Sequence, residues 1–483
     1  MASPVDELPG SALATPAGEP PGAAPRRVFL ETYGCQMNVA DSELVRGLLA
    51  REGWVVVPDP AEADAILVNT CAIRENAEER VLGRFTQLLQ HKQARPGVQL
   101  GLLGCVATHQ RERLLERAPW IDLIVGPDGY RDLPVLLRGG TDPRIEVRLD
   151  RDETYADLAP DLAPGPRAFL TVMRGCDKFC TFCVVPFTRG RERSLPAEAV
   201  LEQVRSAVGE GKREVVLLGQ TVNAWRHDGL DFGDLLRRVA RVPGVERIRF
   251  TSPHPSDVGE SMIDAMAGEE KVMPWLHLPL QSASDAVLAA MQRGYGLDEY
   301  RRLLERIRAR VPGIAVSTDV IVGFPGEGEV DFEATESFLR EARYDFAYLF
   351  KYSAREGTRA WKIEETVDEA EKGRRLERLI ALQEAISLER HREQVGREVE
   401  VLVEGPSKRP PGHVHGKTRD FKTAVLPGDG IEPGALVRAR VEDATAHTLL
   451  AVPAATAGLG ASALGRSKSE PRDPGRSDGA TPR

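Results

Sequence analysis

The chain carries six cysteines, and they fall into two sets of three. Cys176, Cys180 and Cys183 lie together in "RGCDKFCTFC", with Phe182 just before the last of them. Three thiolates at this spacing fit one face of a cubane iron–sulfur cluster, each taking one iron and leaving the fourth iron open to another ligand. A disulfide framework would want an even number of cysteines. A structural zinc would want a fourth protein ligand, and the next histidine along the chain, His227, has no ligand pattern around it. A catalytic zinc with three thiolates and one open position is the remaining alternative.

The elements that must hold these thiols can be read around them. "RRVFLETYGC", "ADAILVNTC" and "VQLGLLGC" are short apolar runs, and each ends at a cysteine of the other set: Cys35, Cys71 and Cys105. Helical spacing of apolar residues fills "ADSELVRGLLAREG" and "ENAEERVLGRFTQLLQHKQ" between them. Strands alternating with helices predict an α/β fold with a doubly wound parallel sheet over 27–140. The three cysteines then lie just past the carboxyl ends of parallel strands, where open α/β sheets bind ligands. Cysteines far apart in sequence could meet there, although cysteine also serves as a small buried apolar residue.

A stretch rich in Pro, Asp and Ala, 141–166, has the composition of a linker. Over 167–394, six strand-like runs ("FLTVM", "EVVLLGQTV", "RIRFTS", "WLHLPL", "IAVSTDVIVGF" and "FAYLFKYS") alternate with helical patterns and predict a partial (β/α) barrel. Barrel chemistry sits at the carboxyl ends of the strands, and the cysteine triplet directly follows the first run. One long amphipathic helix is expected over 366–395, with Leu376, Leu379, Ile380 and Leu382 towards the core. Alternating runs over 395–455 predict a small antiparallel β-barrel. The two ends, 1–26 and 456–483, have the composition of disordered tails.

A net charge of −9 argues against coating nucleic acid by bulk attraction, though not against a local basic surface. No window offers the roughly 18 uninterrupted apolar residues of a membrane helix. The first residues carry acids and prolines where a secretory signal wants a cationic end and an apolar core. The expected location is the cytoplasm, where thiols stay reduced.

The aromatic residue before the last cysteine of the triplet resembles the signature of radical S-adenosylmethionine (SAM) enzymes. Over about 27–453, "TYGCQMNVADSE", "NTCAIRENAEERV", "RGCDKFCTFCVVPFTRGRERS", "LGQTVNAW", "TSPHP", "HLPLQS", "TDVIVGFPGE" and "GKTR" resemble the methylthiotransferases of that class. The family plan, a cluster-bearing N-terminal domain, a radical-SAM barrel and a C-terminal RNA-binding (TRAM) domain, parallels the organisation read above. Two departures are small: Ala283 stands where glycine is expected, and Phe187 where tyrosine is common.

The resemblance implies methylthiolation of carbon-2 of N(6)-isopentenyladenosine at position 37 of tRNA, with threonylcarbamoyl-adenosine or a ribosomal-protein aspartate as sister substrates. "CQMN" and "AIRENAEER" favour the first. It implies two 4Fe–4S clusters: one on Cys176, Cys180 and Cys183 that binds SAM, and an auxiliary one on Cys35, Cys71 and Cys105 that holds the sulfur. Two SAM molecules are used, one as methyl donor and one as radical source. SAM contacts are expected from Phe182, Gly219, Gln220, Gln281, Ser282, Asp319, Gly323, Phe324 and Pro325. Arg189, Arg191 and Arg193 are expected on tRNA phosphates, although such a run also serves as a solvated charged face. In the C-terminal barrel Lys417, Arg419 and Lys422, with Lys408 and Arg409, form a basic strip with Phe421 available for stacking. His109, His254 and His277 receive no role. A monomer, an electron donor and a sulfur or cluster supply system complete the expectation.

Overall fold

In the computed structural model, residues 25–72, 77–139 and 143–454 are described. The strand Ala65–Thr70 is buried at every position, so it must have helices on both faces, as parallel sheets do. It is the third of six parallel strands: β1 (Arg27–Thr32), β2 (Val55–Val56), β3 (Ala65–Thr70), β4 (Gln99–Gly104), β5 (Leu123–Val125) and β6 (Arg144–Glu146). Their order is β2-β1-β3-β4-β5-β6, so strand order reverses between β1 and β3. Helices α1 (Gln36–Arg51), α2 (Ala77–Ala94), α3 (Cys105–Gln110), α4 (Arg113–Arg117) and α5 (Leu133–Leu136) complete this block. Phe85, Leu88 and Val106 fill the core on one face of the sheet; Leu44, Val45 and Tyr130 fill it on the other. The stretch 141–166 is not a linker throughout, because β6 pairs with β5 and Tyr155, Leu158 and Leu162 are buried in core clusters. The tails and residues 73–76 of "NTCAIRENAEERV" lie outside the described residues.

The second block opens with β7 (Arg167–Thr171). A two-residue ribbon, β8 (Met173–Arg174) against β9 (Arg193–Ser194), closes the cysteine loop, which holds the short α6 (Val185–Thr188). The other barrel strands are β10 (Glu214–Leu218), β13 (Arg247–Phe250), β14 (Trp275–His277), β15 (Ala315–Val322) and β16 (Phe346–Lys351), with the small hairpin β11 (Arg226–His227) and β12 (Leu230–Asp231) between β10 and β13. They form two parallel triplets, β7-β10-β13 and β14-β15-β16, joined by a bridge between Ile248 and Val272. Among the described residues β7 and β16 do not pair, so this is a partial barrel with a lateral opening. Helices α7 (Ala197–Gly209), α8 (Phe232–Ala240), α9 (Glu260–Gly268), α10 (Asp285–Ala290), α11 (Leu297–Arg310) and α12 (Glu329–Ala342) pack outside it. The long helix α13 spans Glu369–Arg392. Leu379 faces the core as expected, but Ile380 is exposed, and Lys372, Arg375 and Gln383 take buried positions beside it.

The last block, β17 (Glu398–Pro406), β18 (His413–Thr418), β19 (Thr423–Pro427), β20 (Leu436–Ala444) and β21 (Leu449–Pro453), is a closed five-stranded barrel. It seals the amino-terminal end of the larger barrel. There Arg249 donates to the carbonyls of Thr418 and Arg419, and Arg247 to that of Lys417. Phe421 stacks on Trp275 with ring centroids 4.1 Å apart.

Inside this seal the Glu214 carboxylate accepts from Arg167 at 2.5 Å and from Arg249 at 2.8 Å. Burial alone would raise its pKa, but the two guanidinium groups hold it at about 2 against an ordinary 4.5. A folded-state value below the unfolded one contributes stability that is present above about pH 4.5 and lost as the pH falls towards 2. Glu214→Gln is therefore expected to be less stable than the parent at pH 7, with the difference shrinking by pH 3. Urea midpoints at the two pH values check this.

Candidate functional site

The barrel cysteines are held by backbone geometry that only glycine permits. Gly175 has φ +77, and a Cβ there would lie 1.9 Å from the carbonyl oxygen of Arg191. Directly after it, Cys176 N–H donates to the Gly190 carbonyl, and Cys183 N–H donates to Cys180. Cys176 and Cys180 are buried and Cys183 is half-buried. Cys176 Sγ lies 3.0 Å from Thr221 Oγ1, and Cys180 Sγ accepts from Arg293 Nη1 at 3.2 Å. Burial pushes the Cys176 thiol up and the Cys183 thiol to about 12. Among the described residues no three His, Cys, Asp or Glu side chains converge tightly enough for a single metal ion. Zinc gathers all its thiolates around one ion at about 2.3 Å, whereas a cubane gives each thiolate its own iron and takes a wider triangle. Three soft thiol donors on one loop are the ligand type that iron–sulfur clusters take.

Cys35 follows β1 as the N-cap of α1, Cys71 follows β3, and Cys105 opens α3 directly after β4. Two of them therefore flank the point where strand order reverses, the binding position of doubly wound sheets. Gly34 and Gly104 both have positive φ. A Cβ on Gly34 would meet Cys71 Cβ at 2.5 Å, so the glycine lets these two cysteines approach. The Cys35 thiol is lowered to about 6, first by its hydrogen bond with Cys71 and then, against the opposing effect of burial, by Arg189. Burial raises Cys105.

The two sets share one environment. Met37 and Ala40 of α1 pack on Val216 and Leu218 from the inner face of β10, with Cys35 and Phe169 beside them. Val184, the residue after Cys183, belongs to the same core cluster as Cys105. Between the sets, Arg189 donates from Nε to Cys105 Sγ at 3.1 Å and from Nη2 to Asp41 at 2.7 Å and Asn38 at 3.2 Å. Asp41 also accepts from Arg174 at 3.0 Å. Arg193 forms a fork on Asp128 at 2.9 and 3.0 Å. The expectation that Arg189 and Arg193 touch tRNA phosphates is thus corrected: both are buried and spent on carboxylates. Arg191 alone of the three is on the surface, paired with Asp177 at 2.6 Å.

At the barrel mouth, Phe182 packs against the cluster formed by Val287, Met291, Phe324, Tyr352 and Ala360. A Cβ on Gly219 would strike Met173 Cγ at 2.6 Å. The side-chain oxygens of Gln220 and Gln281 are buried without a hydrogen-bond partner, and Gln281 holds φ +73. A non-glycine residue there costs about 1–3 kcal/mol and is kept where function needs it. Buried, unpartnered polar atoms at the carboxyl ends of barrel strands fit a polar ligand such as SAM. Asp319 is half-buried and paired with His277 at 3.2 Å. Two expected contacts are corrected. Ser282 is buried and turned to Thr335 and Ser284, while Phe324 is 0% exposed and sits edge-on to Tyr352, behind Phe182. Gly323 (φ +73) and Pro325 form the turn after β15, with Gly323 closed against Lys372. Ala283 is buried without disturbing the loop: its N–H donates to Thr335 at 3.0 Å.

In the small barrel, Lys422 is 5% exposed and ion-paired with Asp345 and Asp420, so it is not offered to RNA. Phe421 is likewise taken, by Trp275 and Arg249. Lys417 lies over the Phe421 ring and lines a groove with the exposed Tyr348 and Phe350 of β16. Arg419 is half-exposed and donates to the Glu270 carbonyl, while Lys408 and Arg409 are exposed. The sequence reading missed Thr221, Arg293, Asp41 and Arg174. Thr221 and Arg293 are identified by their contacts with Cys176 and Cys180, and Asp41 and Arg174 by the ion pairs they make beside Arg189, although Asn38, three residues after Cys35, could have been found from its spacing.

Residues 27–126 match the family described as "Uncharacterized protein family UPF0004", residues 170–339 the radical SAM superfamily, and residues 392–454 the TRAM domain. The chain is 42% identical to a protein of Chloroherpeton thalassium over 88% of its length and 95% of that protein's. It is 44% identical to one of Cereibacter sphaeroides over 86% and 96%. Both bear the name tRNA-2-methylthio-N(6)-dimethylallyladenosine synthase. Among solved structures, the radical SAM methyltransferase TsrM of Kitasatospora setae, with cobalamin and a [4Fe-4S] cluster bound, superimposes with a TM-score of 0.53 at 15% identity. That match covers 68% of this chain and 75% of TsrM and is a likeness of fold.

Proposed function

The chain belongs to the radical-SAM methylthiotransferases, in the branch of the tRNA-2-methylthio-N(6)-dimethylallyladenosine synthases, and from that premise we propose how its own residues carry the reaction. The enzyme methylthiolates N(6)-isopentenyladenosine in tRNA, using SAM and a 4Fe–4S cluster. We assign that cluster to Cys176, Cys180 and Cys183, and a second cluster to Cys35, Cys71 and Cys105. The observation that carries this reading is the adjacency of two three-thiol sets at strand carboxyl ends: Val184, next to Cys183, packs with Cys105, and Arg189 of the same loop donates to Cys105 Sγ. When bound, the first cluster supplies the electron that cleaves SAM to a radical, and the second holds the sulfur. A ring C–H is not acidic, so general base catalysis has little to work on, and such chemistry falls to cofactors.

The chain's part is placement and exclusion. Phe182 offers its ring to the adenine of SAM, and the free amide oxygens of Gln220 and Gln281 accept from donors of SAM. α1 blocks water from the inner face of β7 and β10. Arg191 and the strip Lys408, Arg409, Lys417 and Arg419 meet the tRNA, beside the TRAM match. The working form is a cytoplasmic monomer that modifies position 37, uses two SAM molecules per product and draws on an electron donor and a sulfur or cluster supply. No described helix is long and apolar enough to cross a membrane.

The test is anaerobic: the protein is reconstituted with iron and sulfide, iron is counted, and SAM, reductant and isopentenyl-adenosine tRNA are added before nucleoside mass spectrometry. About eight irons per chain, as two 4Fe–4S clusters require, together with the methylthio product, support the reading. About four irons would remove the second cluster. 5′-Deoxyadenosine without product would move the substrate to a sister family.

A further inference from the structure

Arg293 follows α10 and is 6% exposed. Its three nitrogens donate to Tyr295 Oη at 3.0 Å, Cys180 Sγ at 3.2 Å and the Pro279 carbonyl at 3.4 Å. Every other buried arginine among the described residues lies on a carboxylate; Arg293 has none within ion-pair distance. Tyr295 Oη donates to the carbonyls of Pro279 and Leu280 at 2.9 and 3.0 Å, so it is a neutral hydroxyl and offers no negative charge. His254, lowered to about 2 by burial and then by Arg293, adds no charge either. A buried cation without a paired anion is costly, and among the described groups that Arg293 touches, Cys180 is the one that would carry negative charge once it ligates a cluster.

We propose that Arg293 is the counter-charge of the radical-SAM cluster, donating to Cys180 and raising the reduction potential of the cluster held by Cys176, Cys180 and Cys183. This rests on the cluster assignment above. Three thiolates on a 4Fe–4S core leave about one net negative charge, and one-electron reduction adds another. A cation and an N–H donor at a ligand sulfur favour the reduced form, since net charge and hydrogen bonds to sulfur set cluster potentials. Arg189 makes the same contact to Cys105, but its charge is already met by Asp41. Arg293 therefore acts as a positioning residue whose effect reads out as a potential.

The experiment uses the full chain with Cys35, Cys71 and Cys105 changed to alanine, so that one cluster is observed, and follows its EPR signal during a dithionite titration. Arg293→Gln is expected to keep about four irons and to titrate at a more negative midpoint; an iron-loaded glutamine variant with the parent midpoint overturns the proposal. If Arg293→Gln does not retain iron, Arg293→Lys decides. A midpoint unchanged from the parent supports the counter-charge, and a more negative one despite the retained charge overturns it. Failure of the parent to load any cluster would instead strike the cluster assignment, which the iron count reports separately.

Discussion

Cys176→Ala is expected to abolish 5′-deoxyadenosine release while the protein retains about half of its iron, and Cys35→Ala is expected to keep about half of the iron and the 5′-deoxyadenosine release but lose the methylthio product. With Cys176 gone, two thiolates remain for a cluster that must leave one iron open to SAM, and a site so depleted neither holds the cluster nor presents the open position. The four irons assigned to the other set are untouched, because that set is built from β1, β3 and β4 of the first block. Cys35→Ala removes one auxiliary ligand from a helix start whose side chain makes no capping hydrogen bond, yet leaves Cys180 with Arg293 and Cys176 with Thr221. SAM cleavage should persist and the methylthio product should vanish. Iron counting, chromatography of 5′-deoxyadenosine and nucleoside mass spectrometry read the two variants side by side. Full methylthiolation by Cys35→Ala would refute the second cluster.

The cysteine positions were legible because they depend on local pattern. An apolar run followed by Cys is visible in one dimension, and parallel strands bring such ends to one edge whatever the intervening length. The six barrel strands were legible for the same reason: each is a short apolar run between helical segments. What failed was anything that depends on a distant partner. Arg189 and Arg193 stand among charged residues in "TRGRERS" and look solvated, but their carboxylates, Asp41 and Asp128, come from the first block. Lys422 looks like part of a basic strip, but Asp345 reaches it from the barrel. Helix α1 is instructive in the same way. Its residues Asn38, Asp41, Ser42, Glu43 and Arg46 would mark a solvent face, yet all are buried, because the helix is wedged between its own sheet and the second block. Charge patterning records which residues are polar, and only the packing of two blocks decides which of them see water.

Asp41→Asn is expected to lower the stability of the apoprotein by about 3–5 kcal/mol, the usual cost of leaving a buried charge without its partner. Asp41 is 0% exposed and accepts from Arg174 at 3.0 Å and Arg189 at 2.7 Å, so its neutralisation strands two guanidinium groups rather than one. Neither has another carboxylate within ion-pair distance among the described residues. Arg174 keeps only the face of Tyr155, 4.7 Å away. A pair on the surface serves as the control: Glu341→Gln breaks the ion pair with Arg301, whose partners are 32% and 51% exposed, and should cost about 1 kcal/mol or less. Denaturant midpoints of both variants, measured without iron, separate the two cases, and equal losses would show that Asp41 carries no special weight. The same substitution frees Arg189 to turn from Cys105, because Asp41 and Asn38 are what hold its second nitrogen. Loss of stability and loss of the auxiliary site should therefore travel together in Asp41→Asn, since one carboxylate both joins the two blocks and aims the guanidinium that faces the thiol.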